Sequence, residues 1–291
     1  MRRPSASPFR ASLLVLALAS AAVAAPAVAA DTPPAAIAPA ADAALQAVLA
    51  GDWRSEANRA RDPYRHPAET LAFFGLKPGQ TVVEITPGGG WYAEILSPYL
   101  RGQGQYIAAI VDPAAVAEGR GRDYQQRSKD ALEKRFADAP AQFGEAKIVG
   151  YDPAAPKFGD AGSADLVLTF RNVHNWRGNG QAEGMFKGFF DVLKPGGVLG
   201  VVEHRAKGEV PADDRSGYVG EAQVIAMAEA AGFVLDGKSE VNANPKDTKD
   251  HPNGVWTLPP GNNHDDADAD KYRAIGESDR MTLRFVKPAG E

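Results

Sequence analysis

T-V-V-E-I-T-P-G-G-G-W-Y-A-E-I-L, residues 81–96, is the stretch whose reading decides the fold. Val82, Val83 and Ile85 are apolar and β-branched, and with the acid Glu84 among them they predict a short buried strand. Thr86 and Pro87 break it, Gly88, Gly89 and Gly90 predict a tight turn, and Trp91–Leu96 resumes with helical spacing. A strand that passes through a glycine turn into a helix sets free backbone N–H groups beside a small polar ligand. Glycine suits such a turn because a Cβ blocks close approach and disfavours positive φ. The same pattern also serves as an ordinary strand-to-helix turn of an α/β domain, so the flanking sequence must carry the specificity.

Met1–Arg10 holds Arg2, Arg3 and Arg10 and no acid, and Ala11–Ala25 is an almost unbroken apolar run. Small residues follow, ending in Val28-Ala29-Ala30. This three-part pattern predicts a secretory signal peptide over 1–30, cleaved after Ala30. The run is short and alanine-rich for a membrane span, so no stable anchor is expected after cleavage. Arg2-Arg3, followed by Pro4, leaves general secretion and twin-arginine export both open. The expected fate is periplasmic or secreted. Residues 31–43, rich in Ala and Pro, read as a linker.

The chain has no cysteine, which excludes disulfides and thiolate chemistry. Removing the leader takes away three arginines and no acid, leaving 29 basic against 37 acidic residues, a net charge of −8. An acidic chain without basic clusters argues against nucleic-acid binding. The length left after the leader and a hydrophobic fraction of 44% for the whole chain suit one sizeable α/β domain, over residues 44–291.

Residues 44–61 have helical spacing, and Arg59–His66 (R-A-R-D-P-Y-R-H) predicts a polar loop, either lining a ligand cleft or connecting elements in solvent. Pro67 opens a short helix that Gly75 stops. Past the glycine turn, Tyr106–Val111 predicts a second strand ending at Asp112. That acid lies about 20 residues beyond the turn, where it either accepts ribose hydroxyls or caps the next helix. Asp123–Ala137 reads as an exposed helix and Lys147–Val149 as a third strand, with Asp152 just beyond it. Ala164–Phe170 (A-D-L-V-L-T-F) is a clear strand that runs into Arg171-Asn172-Val173-His174-Asn175-Trp176. Ligands of open α/β sheets lie beyond the carboxyl ends of strands, so this cluster is set to present a reacting group. A helix over 182–193 leads through K-P-G-G into the strand Val198–Val202, which ends in Glu203-His204-Arg205. A helix over 221–231, a strand over 233–240, a polar irregular insertion over about 241–279 and an alternating edge strand over 280–287 complete the chain. Gly254-Val255-Trp256 of the insertion is expected to pack back on the body.

V-V-E-I-T-P-G-G-G-W-Y, the strand-end Asp112, A-D-L-V-L-T-F-R-N-V-H-N-W and L-K-P-G-G-V-L-G-V-V-E-H together resemble the class I S-adenosylmethionine-dependent methyltransferases. More narrowly they resemble an exported bacterial group of predicted methyltransferases. The resemblance covers roughly Arg59–Lys287. It implies a Rossmann-like, seven-stranded, mostly parallel sheet with helices on both faces and an antiparallel last strand. The family motif is an acid followed by glycines two, four and six residues later. Glu84 matches the acid, Gly88 and Gly90 match the second and third glycines, and Thr86 replaces the first, which predicts altered loop geometry. The resemblance further implies that S-adenosylmethionine lies over Gly88, Gly89 and Gly90. Asp112 would hold the ribose, Asp152 would reach the adenine amine, and Arg171 would stand at the cofactor's edge. Asn172 and His174 would face the sulfonium and a small-molecule acceptor. A base is needed only where the acceptor loses a proton; His174 is the candidate, with Glu203 and His204 next, and a structural histidine is the competing role. His66, His251 and His264 are too scattered for a metal site.

Two other functions fit parts of the pattern. Gly88, Gly90 and Ala93 satisfy G-x-G-x-x-A, as in nicotinamide-dependent oxidoreductases, but the K-P-G-G turn and the late strands around an insertion count against that reading. A non-catalytic exported binding protein on the same scaffold is the other.

Overall fold

The computed structural model describes residues 43–290, so the leader over 1–30 and the linker up to residue 42 lie outside the described residues. Helices α1 (Ala43–Leu49), α2 (Glu56–Arg59), α3 (Asp62–Arg65) and α4 (Pro67–Phe73) precede strand β1 (Thr81–Ile85). Next come α5 (Ala93–Leu100), β2 (Gln105–Val111), α6 (Arg120–Asp138), α7 (Pro140–Phe143) and β3 (Lys147–Tyr151). β4 (Ala164–Phe170), α8 (Val173–Gly178), α9 (Ala182–Val192), β5 (Leu193–His204), α10 (Glu221–Ala230) and β6 (Val234–Ser239) follow, and α11 (Ala269–Ile275) leads into β7 (Arg280–Val286).

The seven strands form one sheet in the order β3-β2-β1-β4-β5-β7-β6. β1 pairs in parallel with both β2 and β4, and β4 with β5, whereas β7 runs antiparallel to β5 and β6. The last strand is thus the antiparallel one, as expected. Alternation along β1 builds both faces, because successive Cβ atoms point to opposite sides. Val82, with Tyr106 and Leu166, meets the layer made by α1 and α4–α7. Val83 and Ile85, with Val167 and Leu199, meet α8–α10. Burial on both sides explains why β1 and β4 read as near-continuous apolar runs. Strand order reverses between β1 and β4, and that crevice at the carboxyl ends is where such sheets take ligands.

Three sequence expectations need correction. The single helix expected over 44–61 breaks after Leu49, because Arg54 turns inward. It is 1% exposed, and its guanidinium holds both Asp62 oxygens at 2.7 and 2.8 Å and lies 5.3 Å from the Trp91 ring. The stretch Arg59–His66, expected as a polar loop, is partly helical: Asp62–Arg65 forms α3, with Pro63 in its first turn. The insertion is more ordered than its composition suggests. It contains α11 and 3₁₀ turns at Gly254–Thr257 and Asp266–Asp268. Buried Asp247 organises it, accepting the Tyr218 hydroxyl and the backbone N–H groups of Lys249 and Asp279. Among the described residues no helix is long and apolar enough to cross a membrane.

Candidate functional site

A cavity of about 700 Å³ opens at the carboxyl ends of β1, β4 and β5. Its floor comes from the end of β1. Glu84 is 2% exposed and accepts the Tyr106 hydroxyl at 2.7 Å. Burial pushes its carboxyl up to about 7, against the opposing pull of the Tyr106 hydrogen bond and the Arg65 charge. Thr86 takes φ 51, the left-handed conformation that a glycine would adopt without cost. Its hydroxyl lies 2.9 Å from the Tyr151 hydroxyl, a contact that holds the side chain in place. The replacement therefore changes the side chain at the turn and leaves the backbone left-handed.

Gly88 and Gly89 line the cavity, and a Cβ built on either meets no atom of the described residues within 4 Å beyond its adjoining residues. The turn thus leaves room for a ligand against its backbone. Gly90, at φ 76, packs instead near Ala93 and Leu132 and does not line the cavity.

The opposite wall comes from the ends of β4 and β5. The Asn172 amide donates to Ile85 O at 3.0 Å and to Thr169 Oγ1 at 3.3 Å, tying β4 to β1 directly under the cavity. Arg171 lines the cavity with φ 63, and its guanidinium makes no hydrogen bond or ion pair among the described residues. His174 Nδ1 is 3.1 Å from Glu203 Oε1, and Glu203 itself is wholly buried behind it. His204 lines the cavity beside His174, with ring centroids 5.6 Å apart and its Nδ1 at 2.5 Å from Ser278 Oγ. Burial, then the neighbouring His174, Arg171, Arg280 and Arg65, hold the His204 imidazole well below its ordinary value, so it is neutral.

Of the residues expected at the site, Glu84, Thr86, Gly88, Gly89, Arg171, Asn172 and His174 line this one cavity. Asp112 and Asp152 do not. Each accepts the backbone N–H two residues ahead, Asp112 from Ala114 at 2.9 Å and Asp152 from Ala154 at 2.8 Å. The flanking Val111 and Tyr151 line the cavity in their place.

Other lining groups were left open by the sequence or not anticipated from it. Arg61 and Arg65, from the polar loop left open between two roles, are at the cavity. The α6 residues Gln125, Ser128 and Lys129 close one side, on a helix read only as exposed. Trp256, from the insertion, stands edge-on to His174 at 5.9 Å between ring centroids. Trp91, Tyr92 and Phe170 add aromatic wall, with Tyr92 and Phe170 stacked at 3.6 Å.

No metal site was expected, and the structure brings His174, Glu203 and His204 together with potential ligand atoms within 4.8 Å of one another. Glu203 already accepts the backbone N–H groups of His174 and His204 at 3.2 and 2.8 Å. The arginines acting on His204 also oppose a cation there.

No family model matches the sequence, and no curated protein matches it. Solved structures do share its architecture. An SAM-dependent methyltransferase from Aquifex aeolicus is 15% identical with a TM-score of 0.52, over 84% of this chain and 98% of its own. The [4+2]-cyclase SpnF is 16% identical with a TM-score of 0.53, over 85% and 93% of the two chains. An SAM-dependent methyltransferase from Methanosarcina mazei is 12% identical with a TM-score of 0.50, over 74% and 95%. At these identities the likeness is one of fold: the chain has the class I methyltransferase fold.

Proposed function

We propose that the chain binds S-adenosylmethionine across the Gly88–Gly89 turn and catalyses methyl transfer to a small molecule held at the β4–β5 edge. The observation that carries this reading is the open glycine backbone facing the same cavity as the His174–Glu203 pair. The residues suit the cofactor. Glu84 offers a carboxyl for its ammonium, and Trp91, Tyr92 and Phe170 offer aromatic surface to its sulfonium. Ile110 and Val111, with Gln125 and Ser128, would meet its adenosine end. Asp112 keeps one oxygen free of hydrogen bonds among the described residues and is the proposed ribose acceptor; Asp152 would serve the adenine amine.

When bound, the cofactor supplies a methyl group already activated for in-line displacement. The chain's own residues align the acceptor and exclude water. Glu203 holds the His174 ring through Nδ1, so Nε2 is the lone pair that takes a proton from an acceptor hydroxyl or amine. Asn172 fixes the floor on which the reacting groups lie. The volume of the cavity and the acidic balance of the chain favour a small molecule over a nucleic acid. The pattern of residues 1–30 supports export, checked by the intact mass of protein recovered from the periplasm, which should begin at Asp31.

Calorimetric titration of the full chain with S-adenosylmethionine, S-adenosylhomocysteine and NADH tests the reading, after mass spectrometry has excluded ligand carried through purification. Micromolar binding of the adenosyl ligands and none of NADH is expected. Binding of NADH alone would move the chain to the oxidoreductases, although β7 lies antiparallel between β5 and β6, unlike the all-parallel dinucleotide fold.

A further inference from the structure

Arg61, Arg65 and Arg171 line the cavity, and Arg61 and Arg65 converge with Arg280 on one carboxylate, Glu277. Arg61 reaches it at 2.6 Å, Arg280 at 2.8 Å and Arg65 at 3.4 Å. Burial pushes the Glu277 carboxyl up, but Arg280, Arg65 and Arg61 outweigh it and hold the group down at about 2. It is therefore ionised and already shared among those three. Arg171 has only its long-range attraction, and no hydrogen bond or ion pair among the described residues. Nη2 of Arg61 and Nη2 of Arg65 are buried without an acceptor among the described residues. Burial and the neighbouring Arg171 draw the Arg65 guanidinium down to about 8, a measure of how poorly its charge is compensated. Uncompensated buried charge is costly, and an anion in the adjoining cavity removes that cost.

We infer that Arg171, with Arg65 and Arg61, binds an oxyanion group, carboxylate or phosphate, on the small molecule that this chain acts upon. The planar guanidinium fork matches both anions through paired N–H donors. The assignment of that anion to the methyl acceptor rests on the function proposed above. The cofactor does not supply the missing charge, since its carboxylate comes with an ammonium and a sulfonium and its net charge is positive. Among the described residues Arg61, Arg65, Arg171 and Lys129 line the cavity against one acid, Glu84, so its field favours an anionic partner.

The test titrates the full chain, without cofactor, with inorganic phosphate and separately with benzoate at constant ionic strength, read by calorimetry and by thermal shift. Saturable binding of at least one is expected, weakened at least tenfold in Arg171→Gln. Arg61→Gln, at a side chain 23% exposed, supplies a second variant that folding tolerates better and should weaken binding at least threefold. Phosphate binding alone would point to a phosphorylated substrate, and benzoate alone to a carboxylic acid. No saturable binding, or binding unchanged in both variants, overturns the inference. Repeating the titration with saturating S-adenosylhomocysteine separates the two sources of anion. Undiminished anion binding supports an acceptor site, whereas competition assigns the arginines to the cofactor's carboxylate and overturns it. Failure of S-adenosylhomocysteine to bind at all would sink the methyl-transfer reading and leave the anion site standing.

Discussion

Glu203 Oε1 lies 3.1 Å from His174 Nδ1, while the same carboxylate accepts the backbone N–H groups of both His174 and His204. One buried acid at the end of β5 thereby fixes the start of α8 and the tautomer of the ring it carries. An acceptor at Nδ1 puts the imidazole proton there and leaves Nε2 unprotonated.

Glu203→Gln should therefore disturb the histidine more than the fold. In the wild type, long-range ¹H–¹⁵N spectra should show His174 as the Nδ1–H tautomer at pH 7.5. In the variant that preference should be lost, stability should fall by about 1–2 kcal/mol, and affinity for S-adenosylhomocysteine should change less than twofold. A ring that keeps its tautomer would show that the charge of Glu203 does not set it, since the amide oxygen still accepts from Nδ1–H.

Glu84 gives a pH signature. Its carboxyl sits at about 7 when folded against an ordinary 4.5, so the folded chain holds this proton more tightly than the unfolded one. The stability it contributes is complete below about 4.5 and is lost as pH rises through 7. The shift corresponds to about 3 kcal/mol. Glu84→Gln keeps an acceptor for Tyr106 and should flatten this part of the profile, so urea unfolding at pH 5 and pH 8 should differ less in the variant than in the wild type. Equal pH slopes would refute the assignment.

Asp112→Asn separates capping from ligand binding. The amide oxygen can still accept from Ala114 N–H, so stability should stay within about 0.5 kcal/mol. A ribose contact would lose its charged acceptor, and affinity for S-adenosylhomocysteine should drop roughly tenfold. Unchanged affinity would leave Asp112 with the turn alone.

Arg54 straps the N-terminal helices to the site. Its fully buried guanidinium holds Asp62 and lies against Trp91, while Arg61 and Arg65 follow on the same short turn. Arg54→Met should cost about 3 kcal/mol in urea unfolding, because it leaves Asp62 unpaired. A loss under 1 kcal/mol would show that the strap does not depend on this pair.

Local pattern carried the elements and the centre of the sheet. Ala164–Phe170 is a strand to its predicted limits, and the run from Val82 through Gly88 and Gly89 into α5 follows the reading of residues 81–96. Short-range physics suffices there: β-branched side chains favour the pleat, glycine permits positive φ, and apolar runs mark strands buried on both faces. The strand-end acids show the limit of that logic. Asp112 and Asp152 stand where a ligand-binding acid would, yet each also has a backbone N–H two residues ahead within reach, and the fold uses it.

By itself, the sequence determined the order of elements, the glycine turn and the cluster after β4, because periodicity and turn chemistry act over a few residues. Tertiary structure alone decided which distant charges meet. Arg61 and Glu277 are 216 residues apart, Trp256 reaches His174 from the insertion, and Glu203 finds the His174 ring only because β4 and β5 are neighbours. No local pattern encodes those meetings; they follow from strand order and from the cost of leaving buried charge uncompensated.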